Sequence, residues 1–308
     1  SHTMYSNIRL LDCINKPKEL INRAIELGLS GIAITDHECL SAAPEINLYA
    51  QEIQKVKPDF KIAIGNEIYL TDNRDRNQKY YHFILISKDK IGWRMLRELS
   101  SISWLQSYAD RGLERVPTLK SELAAIINKY GKGHLIGTSA CIGGELSSLI
   151  LELTKIEQSN NNDEIYNAKL KIHQFMLLMN ELFGDDFYCE IAPGMSSEQI
   201  AVNKRMISIA KAYDRKIVIG TDSHYLKKKD RYVHKAYLNS KGGEREVDAF
   251  YEYAYLQPEE DIKKHLAPTG LDYDELAENS MEIYSKIENY SIQHKHCRDC
   301  CTPRQNSD

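Results

Sequence analysis

Helical and extended patterns of apolar residues alternate along most of this chain. In "KPKELINRAIELGLS", Leu20, Ile21, Ala24, Ile25 and Leu27 recur at helical spacing, with Pro17 near the start and Gly28 placed as a terminator. The apolar run "GIAIT" (Gly31 to Thr35) reads as a strand. A helix from Ala42 to Val56 follows, then strands over Phe60 to Gly65 and His82 to Ser87, and a helix from Gly92 to Leu105. After a loop through Arg111 to Pro117 come a helix in "TLKSELAAIINKYG", a strand over His134 to Thr138 and a helix over Gly144 to Thr154. The polar stretch "EQSNNNDE" reads as a surface loop. A helix in "IYNAKLKIHQFMLLMNELFG", a strand "DFYCEI", a helix in "EQIAVNKRMISIAKAYD" and a strand "KIVIGT" complete the series. Strand-then-helix repetition predicts an α/β fold built on a mainly parallel sheet or barrel. From Lys241 onward the apolar strands stop. "KGGERE" is turn-like, and "QPEEDIKKHL" and "LDYDELAENSMEIYSKIE" are helical, which places a boundary there with a helical connector beyond it.

Composition adds limits. The 308 residues, 42% hydrophobic, suffice for a full core in one large domain or two small ones. No apolar stretch approaches the ~20 residues of a bilayer span, so no membrane association is expected. The seven cysteines are odd in number and mostly scattered, as free thiols in a reducing cytoplasm would be. A net charge of -4 does not advertise a polyanion partner. Contact with nucleic acid would need a local basic patch or bound metal cations.

Chemistry-bearing residues collect at the carboxyl ends of the predicted strands, where parallel α/β barrels place their sites. Asp36 and His37 follow "GIAIT", Glu67 follows "KIAIG", Cys141 follows "HLIGTSA", and Asp222 and His224 follow "IVIGT". A lone acid in such a place is ordinarily a helix cap or turn former. Four strands ending this way together point to metal, and mixed nitrogen, oxygen and sulfur donors suit zinc, manganese or iron rather than magnesium or calcium. His82 breaks the pattern, because it opens its strand rather than ending it. By periodicity alone it reads equally well as a core histidine.

The order of the motifs is more specific than any one of them. "H-T-x-Y-S", "L-L-D", "T-D-H", "G-x-E-x-Y", "S-A-C-x-G-G-E" and "T-D-S-H-Y" succeed one another from His2 to Tyr225. This series resembles the polymerase and histidinol phosphatase (PHP) superfamily of metal-dependent phosphoesterases, above all the PHP domain of the bacterial DNA polymerase III alpha subunit. Similarity extends from residue 1 to about residue 290. The resemblance implies a distorted (β/α)7 PHP barrel over 1-240 with a C-terminal helical extension over 241-290, of the kind that leads to a polymerase palm. It implies two or three divalent ions (Zn, Mn or Fe) held by His2, Asp12, His37, Glu67, His82, Cys141, Asp222 and His224. Asp36 is then a supporting residue rather than a ligand. The family's motif begins H-x-H and this chain starts at the second of those histidines, so one expected ligand lies before residue 1 or is missing.

In that family a hydroxide held by the metals is the nucleophile, and no serine or cysteine is needed. The expected activity is metal-dependent phosphodiester hydrolysis of the 3'-5' exonuclease kind, on a DNA 3' end or single strand, with polymerase domains or replisome subunits as partners. The alternatives are an inactive metal-binding scaffold of the polymerase and a free-standing phosphatase of the histidinol phosphatase type. No polymerase site is expected in this chain. The resemblance is loose over "ERVPTLKSE", which leaves a DNA-path role for Arg111 or Arg115 open. Residues 291-308, with His294, His296, Cys297, Cys300 and Cys301, read as a disordered tail, with a small zinc knuckle as the alternative.

Overall fold

A computed structural model describes residues 1–110, 113–159, 161–241 and 248–293. Arg111 and the Cys/His tail fall outside these. The strands are β1 (Gly31–Ile34), β2 (Lys61–Thr71), β3 (Tyr81–Ser87), β4 (Tyr108–Asp110), β5 (Leu113–Arg115), β6 (Pro117–Leu119), β7 (Leu135–Thr138), β8 (Phe187–Ile191) and β9 (Ile217–Ile219). The helices are α1 (Pro17–Glu26), α2 (Ala43–Val56), α3 (Lys90–Leu105), α4 (Lys120–Tyr130), α5 (Glu145–Ile156), α6 (Asn162–Phe183), α7 (Ser197–Ala212), α8 (Arg231–Leu238), α9 (Asp248–Tyr251), α10 (Glu259–Leu266) and α11 (Tyr273–Lys286). Seven strands form one curled half-barrel sheet in the order β1-β2-β3-β7-β8-β9, with β6 beside β2. The β4–β5 pair is a separate hairpin in what the sequence presented as a loop.

The sheet is mixed rather than uniformly parallel. β3 runs antiparallel to both β2 and β7, whereas β1–β2, β7–β8 and β8–β9 are parallel. Nine residues, 72–80, join β2 to β3, too few for a helical crossover, so the chain returns as a neighbouring antiparallel strand.

Side chains alternate between two environments along each strand, as the pleat requires. Phe83 and Leu85, Leu135, and Phe187, Cys189 and Ile191 face a core shared with α3 to α7. Ile32, Ile34 and Ile64 face α1 and α2, where Leu20, Ile21 and Ala24 of α1 are wholly buried. Burying one such leucine or isoleucine contributes about 1.5–3 kcal/mol. The inward set is Ala63, Ile86, Ile136, Tyr188 and Val218, closed from below by Ile283 and Ile287. The segment expected as a connector is packed into these cores. Leu256 joins the second, Ile262, Leu266 and Leu276 the first, and Ile287 the inward one.

The first residues bridge the two sheet edges. Thr35 N donates to Ser1 O at 2.8 Å on the β1 side, and His2 N donates to Ser223 O at 3.0 Å just past β9. Thr3 and Ser6 anchor this segment on Asp36, whose carboxylate accepts from Thr3 N at 2.5 Å and from both hydroxyls at 2.8 Å. Asp36 is thus used up in structure.

Candidate metal centre

Along the inward face, each strand changes from apolar to polar toward the same end. β2 runs from Ala63 to Glu67 and Tyr69, β7 from Ile136 to Thr138, and β8 from Tyr188 to Glu190. β3 is reversed in direction and reversed in sequence: His82 comes first and Ile84 and Ile86 after it. His82, the second residue of β3, therefore lies beside Tyr69, at the same end as Glu67. Glu67 itself sits inside β2, which continues to Thr71 instead of stopping at Gly65.

All eight sequence-predicted ligands meet at this end. His2 Nε2 lies 2.7 Å from Asp222 Oδ1 and 3.2 Å from Glu67 Oε2. Asp12 Oδ2 lies 3.0 Å from His37 Nε2 and 3.1 Å from His224 Nε2. Glu67 Oε1 is 2.5 Å from His82 Nδ1, which in turn is 3.5 Å from Cys141 Sγ. Three groups have donor atoms all within 4.8 Å of one another: His2, His37 and His224; Glu67, His82 and Cys141; and His2, Glu67 and Asp222.

The donor set fits divalent cations. His37 Nε2, His2 Nδ1 and both Glu67 oxygens are buried without a hydrogen-bond partner, although some have oppositely charged atoms at hydrogen-bond distance. Their lone pairs converge without the alignment that a hydrogen bond needs, which is costly in a dry interior unless a cation occupies the common point. The His2 and His37 rings are stacked at 4.1 Å and 8°. Burial disfavours a proton on either. At His2 the neighbouring Glu67 and Asp222 outweigh burial and lift its pKa to about 10, whereas burial and His2 together push His37 down to about 4. Burial alone would hold the Cys141 thiol protonated, its pKa raised well above the usual value, so the sulfur becomes a good ligand only against a cation. Backbone strain concentrates here too. Glu38, Ala140 and Asp222, each an expected ligand or next to one, have φ of 52°, 59° and 44°.

Several supporting residues were not apparent in the sequence. Tyr251 in α9 donates its hydroxyl to Asp12 Oδ1, leaving Oδ2 for the centre, and His234 Nε2 donates to Asp12 O at 2.6 Å. Tyr69 lies under His82, ring on ring at 4.6 Å and 11°, and the Arg9 guanidinium covers Tyr69 at 4.4 Å. Arg9 pairs with buried Glu38 at 2.5 Å; burial pushes the Glu38 carboxyl up to about 8, and Arg9 only partly offsets this. Glu190 is buried deeper in the barrel, with Thr138 Oγ1 donating to it at 2.6 Å. A cavity of about 470 Å³ runs from His2 and Asp222 past Glu190 to α11.

The model of the PHP domain matches residues 1–193 of this sequence. The chain belongs to the PHP domain family. Among curated relatives, the PHP chain is 40% identical to a DNA-directed DNA polymerase of Bacillus phage SPbeta, over 96% of its own length and 23% of the polymerase. It is 27% identical to the DNA polymerase III subunit alpha of Borreliella burgdorferi, over 94% of its length and 24% of that protein, and 30% identical to that of Aquifex aeolicus, over 76% and 18%. The PHP chain thus spans about a quarter or less of the length of these relatives. It also superposes on a metal-dependent phosphoesterase from Bifidobacterium adolescentis with a TM-score of 0.43 and 15% identity, covering 89% of this chain and 96% of that one. Among the described residues no helix is long and apolar enough to cross a membrane.

Proposed function

We propose that this PHP domain is part of a DNA polymerase III alpha-like protein and hydrolyses phosphodiesters at DNA 3' ends, using two or three zinc, manganese or iron ions. The observation that supports this most is the convergence at one end of the half-barrel of seven donor side chains in three close groups, with Asp12 beside His37 and His224, most of them almost wholly buried. Ions bound there would supply Lewis acidity toward phosphoryl oxygens and a nucleophilic hydroxide near neutral pH. His2, Asp12, His37, Glu67, His82, Cys141, Asp222 and His224 would hold them. Tyr251 and His234 fix the Asp12 carboxylate from behind, and Tyr69 fixes the plane of His82. No serine or cysteine nucleophile is required, since Cys141 faces His82 within the cluster.

The test is metal content by element-resolved mass spectrometry, with His37→Ala as control, followed by assays on 3'-labelled oligonucleotides and small phosphomonoesters. Two or three equivalents of metal, reduced in the variant, together with shortening of the oligonucleotides, support the proposal. Bound metal without hydrolysis of any ester would make the domain a scaffold, and turnover of monoesters alone would make it a small-molecule phosphatase.

A further inference from the structure

The metal cluster is sealed on most sides. The side chains of His2, Asp12, His37, Glu67 and His224 are 1–3% exposed and that of Asp222 is 8% exposed. His82 stands apart at 26%. The cavity past Glu190 reaches His2 and Asp222 from the α11 side, whereas the outer edge of the cluster opens at His82, and what lies outside His82 bears on what kind of substrate fits there.

A continuous strip of rings and cations starts there. His82 stacks on Tyr69 at 4.6 Å, and Tyr69 stacks on the half-buried Tyr80 at 5.7 Å and 17°. The Arg115 guanidinium lies over the Tyr80 ring at 5.7 Å. On the β4–β5 hairpin, Tyr108 is the cross-strand partner of Arg115, and the exposed Arg76 lies over the Tyr108 ring at 5.9 Å. Asp110 is 3.7 Å from Arg115 Nε, too far for a hydrogen bond; Glu122 is answered by Arg74, and Asp72 and Glu145 by Lys120, while Asp75 and Glu114 also lie along this rim.

We propose that the strip Tyr80, Arg115, Tyr108 and Arg76 is a platform for the unpaired end of a DNA strand, taking bases on the two tyrosine rings and backbone phosphates on the two arginines. Alternating π-faces and guanidinium groups are the chemistry that holds single strands without sequence preference. Continuity with the open edge of the metal cluster favours this ligand over a small phosphomonoester, which would need no platform beyond the ions. The inference rests on reading the cluster as a phosphodiesterase site.

The experiment is fluorescence anisotropy of a 5'-labelled oligothymidylate on the full chain at several salt concentrations, beside turnover of bis(p-nitrophenyl) phosphate by the wild type. Tyr80→Ala and Tyr108→Ala are each expected to weaken oligonucleotide binding about tenfold. Arg76→Ala is expected to flatten the slope of log affinity against log salt by about 0.7. Should Tyr80→Ala fail to fold, Tyr108→Ala and Arg76→Ala decide the matter. Affinities within twofold of wild type, or no binding by the wild type, would overturn the platform, and turnover of the small diester would then leave the hydrolytic reading in place. Tyrosine-dependent binding without turnover of any diester would do the reverse.

Discussion

Replacing Glu190 by glutamine isolates the cost of burying an acid inside the barrel. Burial pushes the Glu190 carboxyl up from 4.5 to about 7; the bond from Thr138 opposes this, and the charges of Asp222 and Glu67 add to it. The folded protein therefore holds a proton on Glu190 over a pH range in which the unfolded chain does not. That contribution is complete below about pH 4.5 and is lost as pH rises through about 7. At about 1.4 kcal/mol for each tenfold in proton affinity, the loss amounts to about 3 kcal/mol. Glutamine is neutral throughout and keeps an oxygen to accept from Thr138. Thermal unfolding of chelated protein should show Glu190→Gln melting several degrees above wild type at pH 8.5 and level with it at pH 5. Parallel pH dependences for the two proteins would refute the reasoning.

The same acid makes Gly220 irreplaceable: a Cβ there would lie 1.8 Å from Glu190 Oε1, so Gly220→Ala should cost about 2 kcal/mol or more in a denaturation experiment. Tyr251→Phe removes the hydroxyl that holds Asp12 Oδ1 and should weaken metal binding about tenfold in a competition titration, with the fold intact by circular dichroism. His82→Ala and Cys141→Ala should each lower the bound metal measured by mass spectrometry, because both lie in one donor group with Glu67; unchanged metal content would remove them from the ligand set. Affinity for the metal should rise with pH as His2 and Cys141 give up protons, which isothermal titration in buffers of different ionisation enthalpy would detect as proton release.

Periodicity made most of the alternating elements legible to within a few residues, because each helix buries one stripe and each strand one face; β2 runs six residues past its expected end, and α6 begins inside the stretch expected as a loop. The donors after β1 and β9 were legible for the same reason: a polar residue directly after an apolar strand is conspicuous. His82 was ambiguous because strand direction is not written in a strand's own residues; its role beside Tyr69 depends on β3 running antiparallel. The β4–β5 hairpin was invisible, being short and without an apolar face. Tyr251 lies 239 residues from Asp12, and no local pattern announces such a contact. Glu190 did leave a signal, a lone acid alternating with Tyr188 on the inward side of "DFYCEI". Tyr69, Tyr80 and Tyr108 share no local pattern in the sequence, and only the fold stacks Tyr69 and Tyr80 beside His82, with Tyr108 on the hairpin opposite Arg115.

The bridge between the two sheet edges also sets a timetable for the growing chain. His2 waits for Ser223, Asp12 for His224 and then for Tyr251, and the loop that carries Asp222 is itself held by Ala254. Contacts of such sequence separation form late, since the entropy of closing the loop is lost before they give anything back. During synthesis the strands and helices up to β8 can pack while the cluster is still missing Asp222 and His224. A ribosome-bound chain in which synthesis has not yet passed about residue 255 would therefore carry His2, His37 and Glu67 as an incomplete set, and a complete donor set could form only after translation of α9.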